Sequence, residues 1–317
     1  MSVSHEHSEN QTQFNYIVTG GARHIAISNY YPSKPIYPLN SVYTYGIPDD
    51  AISCPNAEHH NFSVMDLHLN SLGSFFESGS PRGETPLGVN GASPRAIIPQ
   101  IIADLQFATG GGITINHPSW SNLTVETIKD ILDIDHRVLG IEIFNSFIGP
   151  IDLGWEGETV PHIESMTANI EKWDAILKTG RKCWGFCVAD HQGQSSSEWM
   201  GRNILLVGTA TEQKCLEAYR NGAFYGQLKT TNLGFSNISF SNGVYSIKAD
   251  NADSIKIIID GIEKTYNNNV VNVSVPSTAI YARAEAYGND DIIFTNPIIF
   301  KEYKAQSDTS NILLYLS

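Results

Sequence analysis

Apolar segments of strand length alternate with helix-like segments between about residues 14 and 230 of the chain. Residues 112–116, 139–145 and 183–189 are rich in β-branched or other apolar side chains, which is typical of buried strands. Residues 166–177 repeat apolar side chains at the spacing of an amphipathic helix. Strands separated by such helices predict βα units around a parallel sheet, in a barrel or an open sheet. Functional groups in these folds gather at the carboxyl ends of the strands.

The pattern changes after Thr231, where short alternating strands separated by turn residues begin. The Asp260-Gly261 pair and the three asparagines at 267–269 are typical of tight turns. This part of the sequence predicts a small antiparallel β-sandwich. We therefore divide the chain into an α/β unit, a β-sandwich domain and a C-terminal tail, over residues 1–231, 232–304 and 305–317.

The composition limits the class of protein. Hydrophobic residues make up 41% of the chain, which is enough for a packed core. The formal net charge is −13, from 20 basic and 33 acidic residues, and this balance argues against binding long nucleic acid. The sequence contains no long apolar run and no secretory signal, so we expect a cytoplasmic protein without a membrane span. The cysteines form no CxxC pair and are expected to be reduced, packed thiols: Cys54, Cys183, Cys187 and Cys215.

Histidine and aspartate follow the predicted strands directly. His117 comes after the strand at 112–116, and Asp190 and His191 come after the strand at 183–189. A single histidine in such a place is usually a packed core residue, but here the placement repeats at successive strands. Imidazole and carboxylate groups together favour Zn, Mn or Fe as the bound ion.

Other candidate ligands lie earlier in the chain. His5 and His7 are two residues apart, so an extended strand would put both imidazoles on one face. Glu58 and His68 lie in the segments between the predicted strands. The sequence therefore predicts metal ligands at His5, His7, Glu58, His68, His117, Asp190 and His191.

These motifs, in this order, resemble those of the PHP (polymerase and histidinol phosphatase) family. HEHS at residues 5–8 is similar to the opening HxH motif of that family, and NAE, ending at Glu58, is similar to its bridging-glutamate segment. HLNSLGS, which starts at His68, INHPSW at 115–120 and VADH at 188–191 resemble its later motifs. The resemblance covers residues 5 to 230. It implies a distorted (β/α)7 barrel that holds two or three divalent ions, Zn, Mn or Fe, at the carboxyl ends of the strands.

Two positions depart from the family pattern. Asn29 and Tyr30 stand where the second motif usually has aspartate and histidine, and Gln192 stands where the closing motif has its histidine. One metal position is therefore altered or empty. Tyr30 is open to two interpretations, as a ligand or substrate contact and as a packed side chain.

The resemblance and the ligand set favour a hydrolase. Metal-activated water would cleave a phosphomonoester or short phosphodiester of a small substrate, with Glu58, His68 and Asp190 in catalytic roles. Arg202 is the first candidate for a phosphate clamp. Arg82 and Arg95 are further candidate clamps, and the loop 79–94 is either a substrate lid or a long connection. Glu142 and Asn145 are candidates without a defined role.

Two other functions stay open. The protein could be a catalytically silent PHP scaffold that binds a partner, as the departures at Tyr30 and Gln192 would suggest. It could also be a metal-dependent C–N hydrolase, although such enzymes usually need a carbamylated lysine at a strand end, and we assign none. The β domain is expected to cover one side of the barrel or to mediate self-association.

Overall fold

The structure is a computed structural model that describes residues 1–30, 32–64, 66–79, 88–146, 149–151, 162–191, 201–229 and 231–303. The helices are α1 (Gln11–Thr19), α2 (Pro94–Ala103), α3 (Val125–Leu132), α4 (Met166–Leu177) and α5 (Glu212–Asn221), with one 3-10 turn at Leu39–Ser41. The strands are β1 (Ser2–Val3), β2 (His24–Ile25), β3 (Ile52–Ser53), β4 (Glu58–His59), β5 (Leu69–Leu72), β6 (Gly112–Ile115), β7 (Val138–Asn145), β8 (Gly149–Ile151), β9 (His162–Glu164), β10 (Trp184–Val188), β11 (Arg202–Leu205), β12 (Phe224–Gln227), β13 (Gly234–Ser241), β14 (Val244–Asp250), β15 (Ser254–Ile259), β16 (Ile262–Tyr266), β17 (Val270–Ser274), β18 (Tyr281–Gly288), β19 (Asp291–Thr295) and β20 (Ile298–Ile299).

The predicted strands and the helix around the candidate site are confirmed. The helix expected at 166–177 is α4, which starts after the N-cap Ser165 and buries Trp173 against the sheet core. The strands β6, β7 and β10 match the three predicted apolar segments and are buried along their length. They lie parallel to each other because α3 and α4 carry the chain back between them.

The strands form two large sheets. One has five strands in the order β10-β7-β6-β5-β4, in which β5 runs antiparallel to both of its neighbours. The other has ten strands, in the order β16-β15-β18-β19-β12-β11-β1-β2-β3, with β20 also paired to β18. In this second sheet β1, β2 and β3 are parallel. Strand β11 pairs antiparallel with β1 and with β12, and β12 pairs antiparallel with β19.

The prediction of a distorted (β/α)7 barrel, or of any TIM-like barrel, is wrong. Such a barrel needs parallel strands with a helix after each, but the described strands lie in large mixed sheets with only five short α-helices among them. The error has a physical cause. Hydrophobic periodicity indicates a strand or a helix but not the direction of the strand, and the antiparallel directions of β5, β11 and β12 arise from pairing between distant segments.

The prediction of a self-contained β-sandwich after the barrel is also wrong in its architecture. The expected antiparallel strands are present, but β19 pairs with β12, so β15, β16, β18, β19 and β20 extend the ten-stranded sheet. Strands β13, β14 and β17 form a separate three-stranded sheet, whose Tyr245 and Ile247 pack with Ala284 and Ala286 of β18. The division of the chain at Thr231 stays a prediction.

Backbone hydrogen bonds join the two large sheets beside β1. The His7 N–H donates to the Asp190 carbonyl (2.9 Å), and the Asp190 N–H donates to the His5 carbonyl (3.0 Å). On the other side of β1, the Ser28 N–H donates to the Glu6 carbonyl (3.0 Å), and the Glu58 N–H donates to the Ser28 carbonyl (3.1 Å). Segments that are far apart in the sequence are thereby held together at one place.

All four cysteines are buried free thiols, as predicted. None of the helices within the described ranges has the length and apolar character needed to cross a bilayer.

The buried ion pair between α4 and β18 generates a stability prediction. The fully buried Arg283 guanidinium donates to both oxygens of Asp174 at 2.8 Å, and it also donates to Glu285 at 2.7 Å. The variant Asp174→Ala would leave part of this charge unpaired, and we expect it to lose about 3–5 kcal/mol of unfolding free energy. Chemical denaturation measures this loss.

The exposed pair between Lys129 and Glu126 supplies the control, because the Glu126 side chain is 78% exposed. We expect Glu126→Ala to change the unfolding free energy by less than about 0.5 kcal/mol. Equal losses in the two variants would contradict the structural role of Arg283.

Candidate metal centre

Strand ends bring the predicted ligands to one edge of the five-stranded sheet. His117 follows β6 and Asp190 follows β10, both at the carboxyl ends of parallel strands. His68 precedes β5, but β5 is antiparallel to β6, so the start of β5 lies beside the end of β6. The Asn116 N–H donates to the His68 carbonyl at 3.1 Å and fixes this alignment. The reversed strand therefore contributes a side chain to the same edge.

His117 and Asp190 both have left-handed backbone conformations, with φ values of 26° and 56°. This region is unfavourable for residues other than glycine, and it persists only where the surroundings hold the chain. At His117 the backbone N–H donates to Glu142 Oε2 at 2.8 Å, and at Asp190 it donates to the His5 carbonyl at 3.0 Å. The two strained residues are thus held by hydrogen bonds within the site.

Four side chains converge on one point. His5 Nε2 lies 3.1 Å from His7 Nε2, 3.4 Å from Asp190 Oδ1 and 3.6 Å from Glu58 Oε2. His7 Nε2 lies 3.2 Å from Asp190 Oδ1 and 3.1 Å from Glu58 Oε2. Two ligands of a tetrahedral ion at about 2.1 Å are about 3.4 Å apart. The spacing and chemistry of these donors therefore fit a divalent transition metal.

The other oxygen of Glu58 belongs to a second group. Glu58 Oε1 lies 2.9 Å from His68 Nδ1 and 3.4 Å from His117 Nε2. A third, overlapping group consists of His7, Asp190 and His191, where His191 Nε2 lies 3.5 Å from Asp190 Oδ1. All seven predicted ligands thus meet in one cluster, which we call the ligand cluster: His5, His7, Glu58, His68, His117, Asp190 and His191.

Charge in the ligand cluster is shared between buried carboxylates and imidazoles. Burial raises the pKa of the Glu58 and Asp190 carboxyls, but the adjacent histidines outweigh it and hold both pKa values well below their usual range. Burial also lowers the pKa of His7, yet its contacts with Asp190 and Glu58 raise that pKa to about 8. The carboxylates raise the pKa of His5 and His117 in the same way. A divalent cation would replace the protons on these imidazoles.

A second layer of polar groups surrounds the ligands. Glu142 accepts a hydrogen bond from His5 Nδ1 at 2.6 Å, and Asn145 Nδ2 donates to Asp190 Oδ2 at 2.9 Å. Asn116 Nδ2 donates to Glu58 Oε1 at 2.9 Å, and Ser121 Oγ lies 3.0 Å from His117 Nδ1. Partners of this kind fix the ring orientation and tautomer of metal ligands.

Sequence reasoning left Glu142 and Asn145 without a role and did not identify Asn116 or Ser121. A signal for Glu142 was present, since a carboxylate in the middle of an apolar strand is rarely buried without a specific partner. Asn116 lies one residue before His117, and Ser121 lies four residues after it. From the neighbouring sequence alone, neither can be distinguished from an ordinary turn residue.

Aromatic rings border the partly exposed side of the ligand cluster. The Tyr30 ring lies 4.8 Å from His7, edge-on, and the Trp120 ring lies 4.8 Å from His117, also edge-on. The His68 and His191 side chains are 21% and 27% exposed, whereas His5 is only 1% exposed. Tyr30 packs against His7, and its two interpretations both stay open. This side of the cluster is where a substrate could reach it.

Of the candidate phosphate clamps, Arg202 and Arg95 are described, and Arg202 directs its side chain elsewhere. Arg202 is buried in β11, and its guanidinium donates to Gln227, to the Gly20 carbonyl and to the Lys229 carbonyl. Burial lowers its pKa to about 10. Arg95 is exposed on α2. Arg82, Gln192 and residues 80–87 of the loop 79–94 lie outside the described residues.

The chain matches no protein-family model, and searches of curated proteins and of solved structures found no match. The likeness to the PHP family therefore depends on the motifs quoted above and stays a prediction.

The raised pKa of His7 generates a prediction about pH. Its imidazole must lose a proton to bind metal, so the affinity for Mn²⁺ should rise as the pH increases from about 6.5 to about 8. In the metal-free protein, protonated His7 stabilises the fold below its unfolded pKa of about 6.5, and this contribution is lost as the pH rises through about 8. Titration calorimetry in buffers of different ionisation enthalpy measures the protons released.

The variant His136→Ala is the matched control, because the His136 side chain is 73% exposed and lies outside the ligand cluster. It should leave both the affinity and the proton release unchanged. An affinity that does not vary between pH 6.5 and 8.5 would show that the imidazoles of the ligand cluster do not bind the ion.

Proposed function

We propose that this protein is a metal-dependent hydrolase, with phosphoesters of small molecules as the first candidate substrates. One observation carries the proposal, namely that Glu58 directs its two oxygens at two different groups of histidines. A carboxylate shared in this way is suited to bridge two ions, and paired ions are a common basis for phosphoester hydrolysis. The three overlapping groups support two or three ions per chain.

Each residue of the ligand cluster has a part in this proposal. Ions bound there would polarise the phosphoryl oxygen and lower the pKa of a bound water towards neutrality. His5, His7, Asp190 and Glu58 Oε2 would hold one ion. Glu58 Oε1, His68 and His117 would hold another. The partly exposed His68 and His191 would face the incoming substrate.

His191 differs from the other ligands in its charge. Burial lowers its pKa to about 4, although Asp190 opposes this shift. Its imidazole is therefore neutral at pH 7 and offers a lone pair for a metal ion or for a proton. Arg202 has no part in the proposed chemistry, because its hydrogen bonds tie β11 to Gly20 and to the end of β12.

Two observations bear on the alternative functions. A C–N hydrolase of the carbamylated type would need a lysine among the ligands, and within the described residues the ion-pair partners of Glu58 and Asp190 are histidines alone. A silent scaffold would not need the second layer of hydrogen bonds from Glu142, Asn145 and Asn116 that orients the ligands. Both observations favour the hydrolase.

The proposal is tested with His117→Ala, which removes a ligand of the second group. We expect the protein reconstituted with Mn²⁺ or Zn²⁺ to hydrolyse 4-nitrophenyl phosphate or bis(4-nitrophenyl) phosphate. The variant should keep its fold but lose at least about 100-fold in kcat/KM, because a lost ligand costs at least as much as a lost second-layer partner. Release of 4-nitrophenolate measures the rate, and His136→Ala is again the control.

A chelated protein should be inactive and should recover activity when the ion is restored. Turnover of 4-nitroacetanilide without turnover of either phosphate ester would instead support a C–N hydrolase. No hydrolysis of any of these substrates by protein with measured bound metal would contradict the proposed function and favour the scaffold.

A further inference from the structure

Glu142 lies at the centre of β7 with a fully buried side chain, and it is absent from the three groups of candidate ligands. Its carboxylate nevertheless contacts two candidate ligands, His5 and His117, and also Asn145, which contacts a third. Oε1 accepts from His5 Nδ1 at 2.6 Å, whereas Oε2 accepts from the His117 N–H at 2.8 Å and from Asn145 Nδ2 at 3.1 Å.

Each of these contacts constrains one ligand. The bond to Nδ1 makes that nitrogen of His5 the donor, so Nε2 faces His7, Glu58 and Asp190 with its lone pair when the ring is neutral. The bond to the His117 N–H holds a residue whose φ is 26°. The contact with Asn145 constrains Asp190 indirectly, because the same Asn145 Nδ2 also donates to Asp190 Oδ2 at 2.9 Å.

The chemistry of the three partners requires an acceptor on both oxygens. His5 Nδ1–H, the His117 N–H and the Asn145 amide are all donors. A carboxylate accepts from all three while His5 keeps its proton on Nδ1. An isosteric glutamine would satisfy all three only if that proton moved to Nε2, the nitrogen that faces His7, Glu58 and Asp190. This requirement explains why a charged residue occupies the middle of a buried strand.

We propose that Glu142, with Asn145 as its relay to Asp190, is the positioning residue that fixes the tautomer of His5 and the geometry of His117 and Asp190 in the ligand cluster. This inference depends on the metal site of the proposed function, but it does not depend on which bond the protein hydrolyses. Glu142 acts through His5, His117 and Asp190 and does not itself contact an ion.

The test uses Glu142→Gln, Glu142→Asp and Asn145→Ala in the full-length protein, with Zn²⁺ as the probe. We expect Glu142→Gln to weaken zinc binding by about 10- to 100-fold, the usual effect of removing a second-layer partner. Glu142→Asp keeps the two acceptors on a shorter side chain, so its affinity should lie between those of the wild type and Glu142→Gln. Asn145→Ala removes only the relay to Asp190 and should have a smaller effect than Glu142→Gln.

Nitrogen NMR of the histidine rings in the metal-free protein, recorded at a pH where His5 is neutral, provides a readout that a general loss of stability would not move. In the wild type, His5 should carry its proton on Nδ1 alone, and in Glu142→Gln this signal should shift to a mixture of tautomers. Glu285→Gln is the matched control, because Glu285 is a buried carboxylate paired with Arg283 away from the ligand cluster. This control should keep wild-type zinc affinity, whatever its stability.

Wild-type zinc affinity in Glu142→Gln, or an equal loss in Glu285→Gln, would overturn the assignment. If Glu142→Gln does not fold, Glu142→Asp and Asn145→Ala decide, and unchanged affinity in both would also overturn it. The proposed function fails separately. A zinc-loaded wild type that hydrolyses no ester would leave the role of Glu142 intact, since affinity and tautomer are measured without substrate.

Discussion

The site depends on burying carboxylates among imidazoles. Glu58, Asp190 and Glu142 are all at most 5% exposed, and burying an unpaired carboxylate is costly. Within the described part of the chain, their ion-pair partners are histidines alone, without lysine or arginine. Because histidine carries a charge only when protonated, the cluster must hold either protons or metal ions. The carboxylates therefore raise the pKa of His5, His7 and His117, and these histidines lower the pKa of Glu58 and Asp190.

The fold supplies the rigidity that such a cluster needs. Parallel strands β6, β7 and β10 deliver His117, Glu142 and Asp190 to one edge, and the reversed β5 adds His68. Backbone hydrogen bonds hold the segment after β1 against Asp190. These bonds fix the backbone of His5 and His7 independently of any contact that their imidazole rings make. Strained backbone at His117 and Asp190 is tolerated because hydrogen bonds inside the site hold each residue.

The positions of the cluster residues could be predicted better than the architecture. His117, Asp190 and His191 follow apolar segments, which predicts strand ends, and the structure brings all three into the ligand cluster. The two-residue spacing of His5 and His7 does put both imidazoles beside Glu58. Strand direction could not be predicted, because it follows from long-range pairing that local periodicity does not encode, and so the barrel was wrong.

Arg202 illustrates a different limit. Its position next to an apolar strand is the same as that of a site residue, but its guanidinium faces backbone carbonyls and Gln227. Strand direction does not explain this, because β11 runs antiparallel to β1 and its start therefore lies beside the end of β1, which leads to His5. The direction of the Arg202 side chain is set by long-range contacts that the local sequence does not encode. Glu142 is the opposite case. A lone carboxylate in an apolar strand indicates that a buried partner exists, but the local sequence does not show which residue that partner is.

The number of ions bound per chain tests the shared role of Glu58 most directly. Metal-free protein is titrated with Mn²⁺ or Zn²⁺, and the stoichiometry and affinities of the wild type are compared with those of Glu58→Ala and Asp190→Ala. We predict at least two ions per wild-type chain and weakened binding of both in Glu58→Ala. In Asp190→Ala, binding should weaken in the groups that contain Asp190 and stay unchanged in the group of Glu58, His68 and His117. Fewer than two ions per wild-type chain, or two ions bound with unchanged affinity in Glu58→Ala, would contradict this prediction.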